Sequence, residues 1–201
     1  MWIKICGLTT PDAIAAALEA QVEAIGFVFA VSPRQLTPEA AAQLARPARE
    51  RVRCVAVMHH PRQLALAEML RVFRPDVLQT DESDLAQLEL PQTLELLPVL
   101  RSDAAAPARL APRVLFEGPA SGTGTASDWS TARRLARRTQ LILAGGLDAG
   151  NVAQAIQAVQ PFGVDVSSGV EARPGVKSPL KIAQFVAAAR AAAARPSEDA
   201  L

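Results

Sequence analysis

The sequence predicts a compact (β/α)8 barrel, the TIM-barrel class of α/β fold, and three observations lead there. Short β-like apolar runs alternate with amphipathic or alanine-rich helical segments along the whole chain. Eight such runs can be counted, and polar or glycine-rich residues collect just after several of them. Alternation of this kind builds parallel βαβ units, and eight units favour a closed barrel over an open doubly wound sheet. The chain has 201 residues, which leaves roughly 25 residues per unit, near the lower size bound of the fold. No stretch is long enough to link a second domain, so residues 1–201 are expected to form one barrel domain.

The elements follow in order. Strand one is read at residues 2–6, ahead of Thr10-Pro11-Asp12, an N-cap with proline at the first helical position. Its helix, 11–22, leads into strand two at 24–29. After the loop Val31-Ser32-Pro33-Arg34, a second helix opens at Thr37-Pro38-Glu39. Strand three covers 52–58 with a helix at 61–72, and strand four covers 76–79 with a helix near 82–88. Strand five covers 94–100. Residues 102–112 then show proline-bounded turns and little periodicity, so the helix after strand five is expected to be short or missing. Strand six is 113–117. A helix at 128–138 precedes strand seven at 140–145, a helix at 148–160 precedes strand eight at 163–166, and the last helix covers 178–194. The polar tail 195–201 is expected to fray.

Composition removes several function classes. Lys plus Arg number 21 against 20 Asp plus Glu, a net charge of +1, so no nucleic-acid or acidic-membrane partner is expected. No run reaches the roughly 18 to 20 apolar residues of a membrane helix, and the first residues lack the layout of a signal peptide. The two cysteines, Cys6 and Cys54, form no CxxC pair, and the two histidines, His59 and His60, spell out no zinc site. A cytoplasmic, disulfide-free domain without metal is expected. Aromatic residues make up 4 % and tyrosine is absent, so the core must be aliphatic.

Chemistry in this fold belongs at the C-terminal ends of the strands. Period-2 alternation puts Lys4 and Cys6 on one face of strand one and Ile3 and Ile5 on the other. The barrel mouth suits the polar pair, where Lys4 would favour the Cys6 thiolate. The competing reading is that Cys6 is a small buried hydrophobe, as Cys54 is in mid-strand. Glu117 ends strand six beside the glycine loop 118–124, a placement suited to proton transfer, although a solvated charge would look the same. Asp128-Trp129 reads as a helix cap and packing anchor. Strands seven and eight end in Ala144-Gly145-Gly146-Leu147 and in Asp165-Val166-Ser167-Ser168-Gly169-Val170-Glu171. Small-residue loops at these two positions form the common phosphate site of the barrel, pointing to a small phosphorylated substrate. Arg34 is placed to clamp a carboxylate through two hydrogen bonds, though a lone loop arginine is more often solvated. His59 and His60 are left outside the site.

Lys4-Ile5-Cys6-Gly7, Ser32-Pro33-Arg34, Ser121-Gly122-Thr123-Gly124 with Asp128-Trp129, Leu143-Ala144-Gly145-Gly146-Leu147 and Gly163 through Glu171 occur in that order. The set strongly resembles the phosphoribosylanthranilate isomerases of tryptophan biosynthesis, over residues 3 to about 186. The resemblance implies an Amadori rearrangement of an aminoaldose, N-(5-phosphoribosyl)anthranilate, to an aminoketose, with no metal or organic cofactor. It implies Cys6 as general base, with a lowered pKa, and Glu117 at the position of the family's aspartate acid. Arg34 matches the contact to the anthranilate carboxylate. Asp165 matches a carboxylate near the ribose and bridging amine, and Gly145, Gly146, Ser168 and Gly169 match the phosphate cradle. A monomer or homodimer is expected. Two departures stand out: glutamate replaces aspartate at 117, and Gln79-Thr80-Asp81-Glu82 stands where many relatives have QLHG. Another phosphosugar isomerase or epimerase on the same barrel, or a non-catalytic phosphate-binding protein, are the alternative readings.

Overall fold

In a computed structural model, which describes residues 1–104, 107–119 and 127–194, eight parallel strands close into a barrel in sequence order. They are β1 (Trp2–Cys6), β2 (Ala24–Val28), β3 (Arg53–Val57), β4 (Val77–Asp81), β5 (Glu95–Arg101), β6 (Arg113–Glu117), β7 (Gln140–Leu143) and β8 (Gly163–Val166). Closure comes from β1 pairing with β8, in a register that sets Lys4 opposite Asp165. The expected fraying of 195–201 lies outside the described residues.

Five of the expected helices form between strands and a sixth follows β8: α1 (Pro11–Glu19), α2 (Pro38–Ala45), α3 (Gln63–Val72), α4 (Trp129–Ala136), α5 (Val152–Val159) and α6 (Pro179–Ala193). The hydroxyls of Thr10, Thr37 and Ser178 cap their helices by accepting from the amides of Ala13, Ala40 and Lys181, each ahead of a proline at the helix start. Asp128 caps α4 by accepting from the Ser130 and Thr131 amides, and the hydroxyls of Thr131 and Ser130, which also donate to it, do most to hold its exposed carboxyl down at about 2.

The differences from expectation have local causes. Helix α1 stops at Glu19 because Gln21 turns left-handed, at φ 56°. Residues Glu82–Gln87 wind as a 3-10 helix rather than an α-helix. Between β5 and β6 no helix occurs among the described residues, so the barrel lacks one helix of its outer ring there. Helix α5 begins at Val152 instead of 148. The Asp148 carboxylate accepts from the amides of Gly150 and Asn151, making a tight turn first. A short hairpin, β9 (Glu171–Arg173) with β10 (Val176–Lys177), was not anticipated.

Two apolar layers result. Within the barrel, Ala24, Val55, Val77, Leu97, Leu115 and Ile142 fill the middle. Beneath them, Glu95 accepts from Arg53 and Arg113, and Arg113 stacks over the rings of Trp2 and Phe162. Outside, the opposite strand faces meet the helices, with Phe27 and Phe73 in edge contact at 5.1 Å. Phe73 is almost fully buried. Its replacement by alanine is expected to cost about 3–5 kcal/mol, seen as a lower denaturant midpoint with an unchanged slope.

Candidate active site

The upper ends of the strands enclose a cavity of about 530 Å³ lined by Cys6, Arg34, His59, Asp81, Arg101, Glu117, Asp165 and Ser167, among others. Sequence reasoning named four of these eight, Cys6, Arg34, Glu117 and Asp165, and they come together here from β1, the loop after β2, β6 and β8.

On the floor, the Lys4 ammonium donates to Asp165 Oδ1 at 2.9 Å with Lys4 wholly buried. Gly26 on β2 makes the room: a Cβ there would lie 3.0 Å from Cys6 Sγ and 3.1 Å from Lys4 Cε. Burial works against the Lys4 charge, but Asp165 and Cys6 outweigh it, and its pKa is raised. The expected lowering of the Cys6 pKa is not found in the substrate-free protein. Burial pushes the thiol up, and the opposing pull of Lys4 and Lys177 does not overcome it. The alternation argument placed Lys4 beside Cys6 correctly; what it lacked was the desolvation created by barrel closure.

Arg34 does take a carboxylate through two bonds, but an internal one. Its Nε and Nη2 donate to the two oxygens of Glu171 at 2.7 and 2.9 Å. These bonds raise the Arg34 pKa, and with Lys177 they hold Glu171 below its ordinary value despite burial. Lys177 donates to Glu171 at 2.8 Å and to Ser167, yet burial still leaves it below the usual lysine range. Gly7, at φ 75°, packs so closely that a Cβ would meet Arg34 Cδ at 2.5 Å. Arg34 is thereby held by Glu171 and by Gly7, with its Nη1–Nη2 edge beyond the Glu171 clamp.

The opposite wall carries Glu117, to which Arg101 Nη1 donates at 3.2 Å. Arg101 also donates to Asp81, whose other oxygen meets His59 Nδ1 at 2.5 Å. His59, left outside the site by the sequence reading, therefore stands at its rim. Gly145, Gly146, Ser168 and Gly169 are not among the residues that line this cavity. Gly145 and Gly146 take φ of 89° and 66° as the chain leaves β7, a conformation that favours glycine. Gly169 abuts that loop, where a Cβ would fall 2.0 Å from the Leu147 carbonyl oxygen. The loops after β7 and β8 are thus in contact, with Ser168 and Gly169 opening a short 3-10 turn. The loop segment Ser121–Gly124 lies outside the described residues.

Sequence reasoning missed Lys177, Arg101 and the structural use of Glu171. Lys177 follows a Pro-Gly turn six residues after Glu171, a hairpin signal that would have paired them. Arg101 gave no sign, because the residue beyond an apolar run reads as a solvated end.

Comparison with known proteins gives a consistent result. Residues 3–188 match the family model described as N-(5'-phosphoribosyl)anthranilate (PRA) isomerase. The N-(5'-phosphoribosyl)anthranilate isomerase of Azorhizobium caulinodans is 40% identical, covering 97% of this chain and 95% of its own. Among solved structures, TrpF from Jonesia denitrificans is 36% identical with a TM-score of 0.79, covering 96% of this chain and 98% of its own. A phosphoribosyl anthranilate isomerase bound to reduced 1-(o-carboxyphenylamino)-1-deoxyribulose 5-phosphate is 25% identical with a TM-score of 0.76, covering 95% and 99%.

Two outcomes follow from the geometry. Because burial raises the Cys6 thiol above its ordinary value of 9.0, alkylation of Cys6 in the substrate-free protein should be slow at neutral pH. The rate should climb only above about pH 9, with the Cys6→Ser protein as the blank. Lys4→Met strands Asp165 in the interior and should cost about 3–5 kcal/mol of stability, measured by denaturant unfolding.

Proposed function

This chain belongs to the N-(5'-phosphoribosyl)anthranilate isomerase family and carries out that isomerase step of tryptophan biosynthesis; we propose that Cys6 and Glu117 are its base and acid. The observation that carries the assignment is that a thiol on β1 and a carboxylate on β6 line one cavity together with Asp165 and Arg34.

In this reading Glu117 protonates the furanose ring oxygen. The C1–O bond breaks, and the anthranilate nitrogen supplies the electrons for a cationic Schiff base at C1. The Cys6 thiolate then removes the proton at C2, and the C–H electrons form the C1=C2 bond of a neutral enolamine. Protonation at C1 and loss of the C2 hydroxyl proton give the ketone. A thiol raised by burial is a stronger base once ionised. Lys4 and Lys177 already act toward the thiolate, and the Schiff-base charge adds to them when the ring opens. Asp165, held by Lys4, faces the ribose and bridging amine.

The anthranilate carboxylate meets the Nη1–Nη2 edge of Arg34, a second pair of donors beside the one used by Glu171. The phosphate sits against Gly145, Gly146, Ser168 and Gly169, where side-chain-free backbone allows close approach. No helix among the described residues is long and apolar enough to cross a membrane, which agrees with action on a small phosphorylated substrate in the cytoplasm, as a monomer or homodimer.

The direct test follows the fluorescence of phosphoribosylanthranilate with purified protein and no added metal. Consumption supports the reading; none, where a control isomerase works, refutes it. Cys6→Ala and Glu117→Gln should each lower kcat by about a hundredfold or more while binding of the reduced product analogue persists. Near wild-type turnover in either protein removes that residue from its role. Arg34→Lys, which keeps charge but loses the second edge, should raise KM more than it lowers kcat.

A further inference from the structure

The cavity wall opposite Cys6 holds a chain of bonded charged groups of which the proposed proton transfers use only Glu117. It starts at His59, just beyond β3, passes through Asp81 at the end of β4 and Arg101 at the end of β5, and ends at Glu117 on β6. We propose that Arg101, anchored on Asp81, is the positioning residue that aims the Glu117 carboxylate into the cavity. The inference rests on Glu117 being the acid.

Register supplies the placement. Arg101 lies directly opposite Glu117 in the β5–β6 pairing, and Asp81 lies opposite Val99, two residues earlier on β5. The bonds are unequal. Arg101 Nε and Nη2 reach Asp81 Oδ1 at 2.7 and 2.6 Å, whereas Nη1 reaches Glu117 Oε1 at 3.2 Å. The tight contacts fix the guanidinium, with Asp81 itself buried and held on its far side by His59 at 2.5 Å. The longer contact is a directed donor to the acid.

This division of labour suits proton donation. An arginine bound only to Glu117 would hold it as the anion and spoil it as a donor. Shared with Asp81, its charge is largely offset, yet one N–H already points to where negative charge develops as the proton leaves for the ring oxygen. It also connects the two departures from the family pattern. Glutamate has one more rotatable bond than aspartate and needs an external restraint. Asp81, in the segment that replaces QLHG, anchors that restraint. Among the described residues, the other charged or titratable groups facing the same cavity are Cys6, Asp165 with Lys4 behind it, Arg34 and His60.

The experiment compares Arg101→Gln, Arg101→Lys and Asp81→Asn, alone and combined with Glu117→Gln. Each is measured as kcat, KM and the pH profile of kcat, with unfolding curves to confirm the fold. Arg101→Gln is expected to lower kcat by about tenfold to a hundredfold, with KM changed by less than about threefold and partial recovery in Arg101→Lys. The alkaline limb of the profile should move up in Arg101→Gln, which loses a cation. It should move down in Asp81→Asn, which leaves that cation to act on Glu117 alone. In the Glu117→Gln background the Arg101 effect should vanish. An equal loss there, or a change confined to KM, would mean that Arg101 serves the substrate or the scaffold, and the proposal fails with the acid assignment intact. Wild-type turnover in Glu117→Gln would instead remove the acid itself. If Arg101→Gln does not fold, Asp81→Asn decides: an alkaline limb left unmoved there overturns the proposal.

Discussion

The buried ion pair between Lys4 and Asp165 sits where the barrel closes, bridging its first strand to its last. Placing two charges in such surroundings costs several kcal/mol per ion before their attraction and hydrogen bond are counted. A hydrophobic pair would be the cheaper way to fill that layer, as Val55, Val77, Leu97, Leu115 and Ile142 do elsewhere in it. The pair makes sense as a fixed electrostatic floor for the cavity. It keeps an ammonium beside Cys6, which favours the thiolate, and a carboxylate facing the space a bound sugar would fill. Gly26 gives up a side chain so that both polar residues of β1 fit.

From that floor the site divides into two walls with opposite logic. On one side Arg34, Glu171 and Lys177 form a compact cluster of two cations and one anion, held by the hairpin β9–β10 and by close packing against Gly7. The clamp fixes the guanidinium through two bonds to one carboxylate. On the other side His59, Asp81, Arg101 and Glu117 link four consecutive strand ends. Rigid strands under short loops give both walls their precision. With no helix between β5 and β6 among the described residues, the two strands still pair through Arg101 and Glu117.

Much of this was legible from the chain alone, because it depends on local patterns. Eight apolar runs with helices between them specify the barrel, and threonine or serine ahead of proline marks three helix starts. Period-2 alternation set Lys4 and Cys6 on the same face, and small-residue loops after strands seven and eight were legible as turns, which meet where Gly169 abuts Leu147. Boundaries slipped where competing local bonds intervened, as when the Asp148 carboxylate delayed α5 to Val152.

What sequence determined by itself, then, was the fold, the strand faces and the residue types brought to the mouth. Tertiary structure decided their partners and protonation. Arg34 meets Glu171 across 137 positions and Lys4 meets Asp165 across 161, and no periodicity reports contacts that exist only once the sheet has closed. The Cys6 thiol was expected to be lowered by its lysine neighbour and is raised instead. Desolvation depends on everything packed around a group, and sequence spacing carries only the nearest charge.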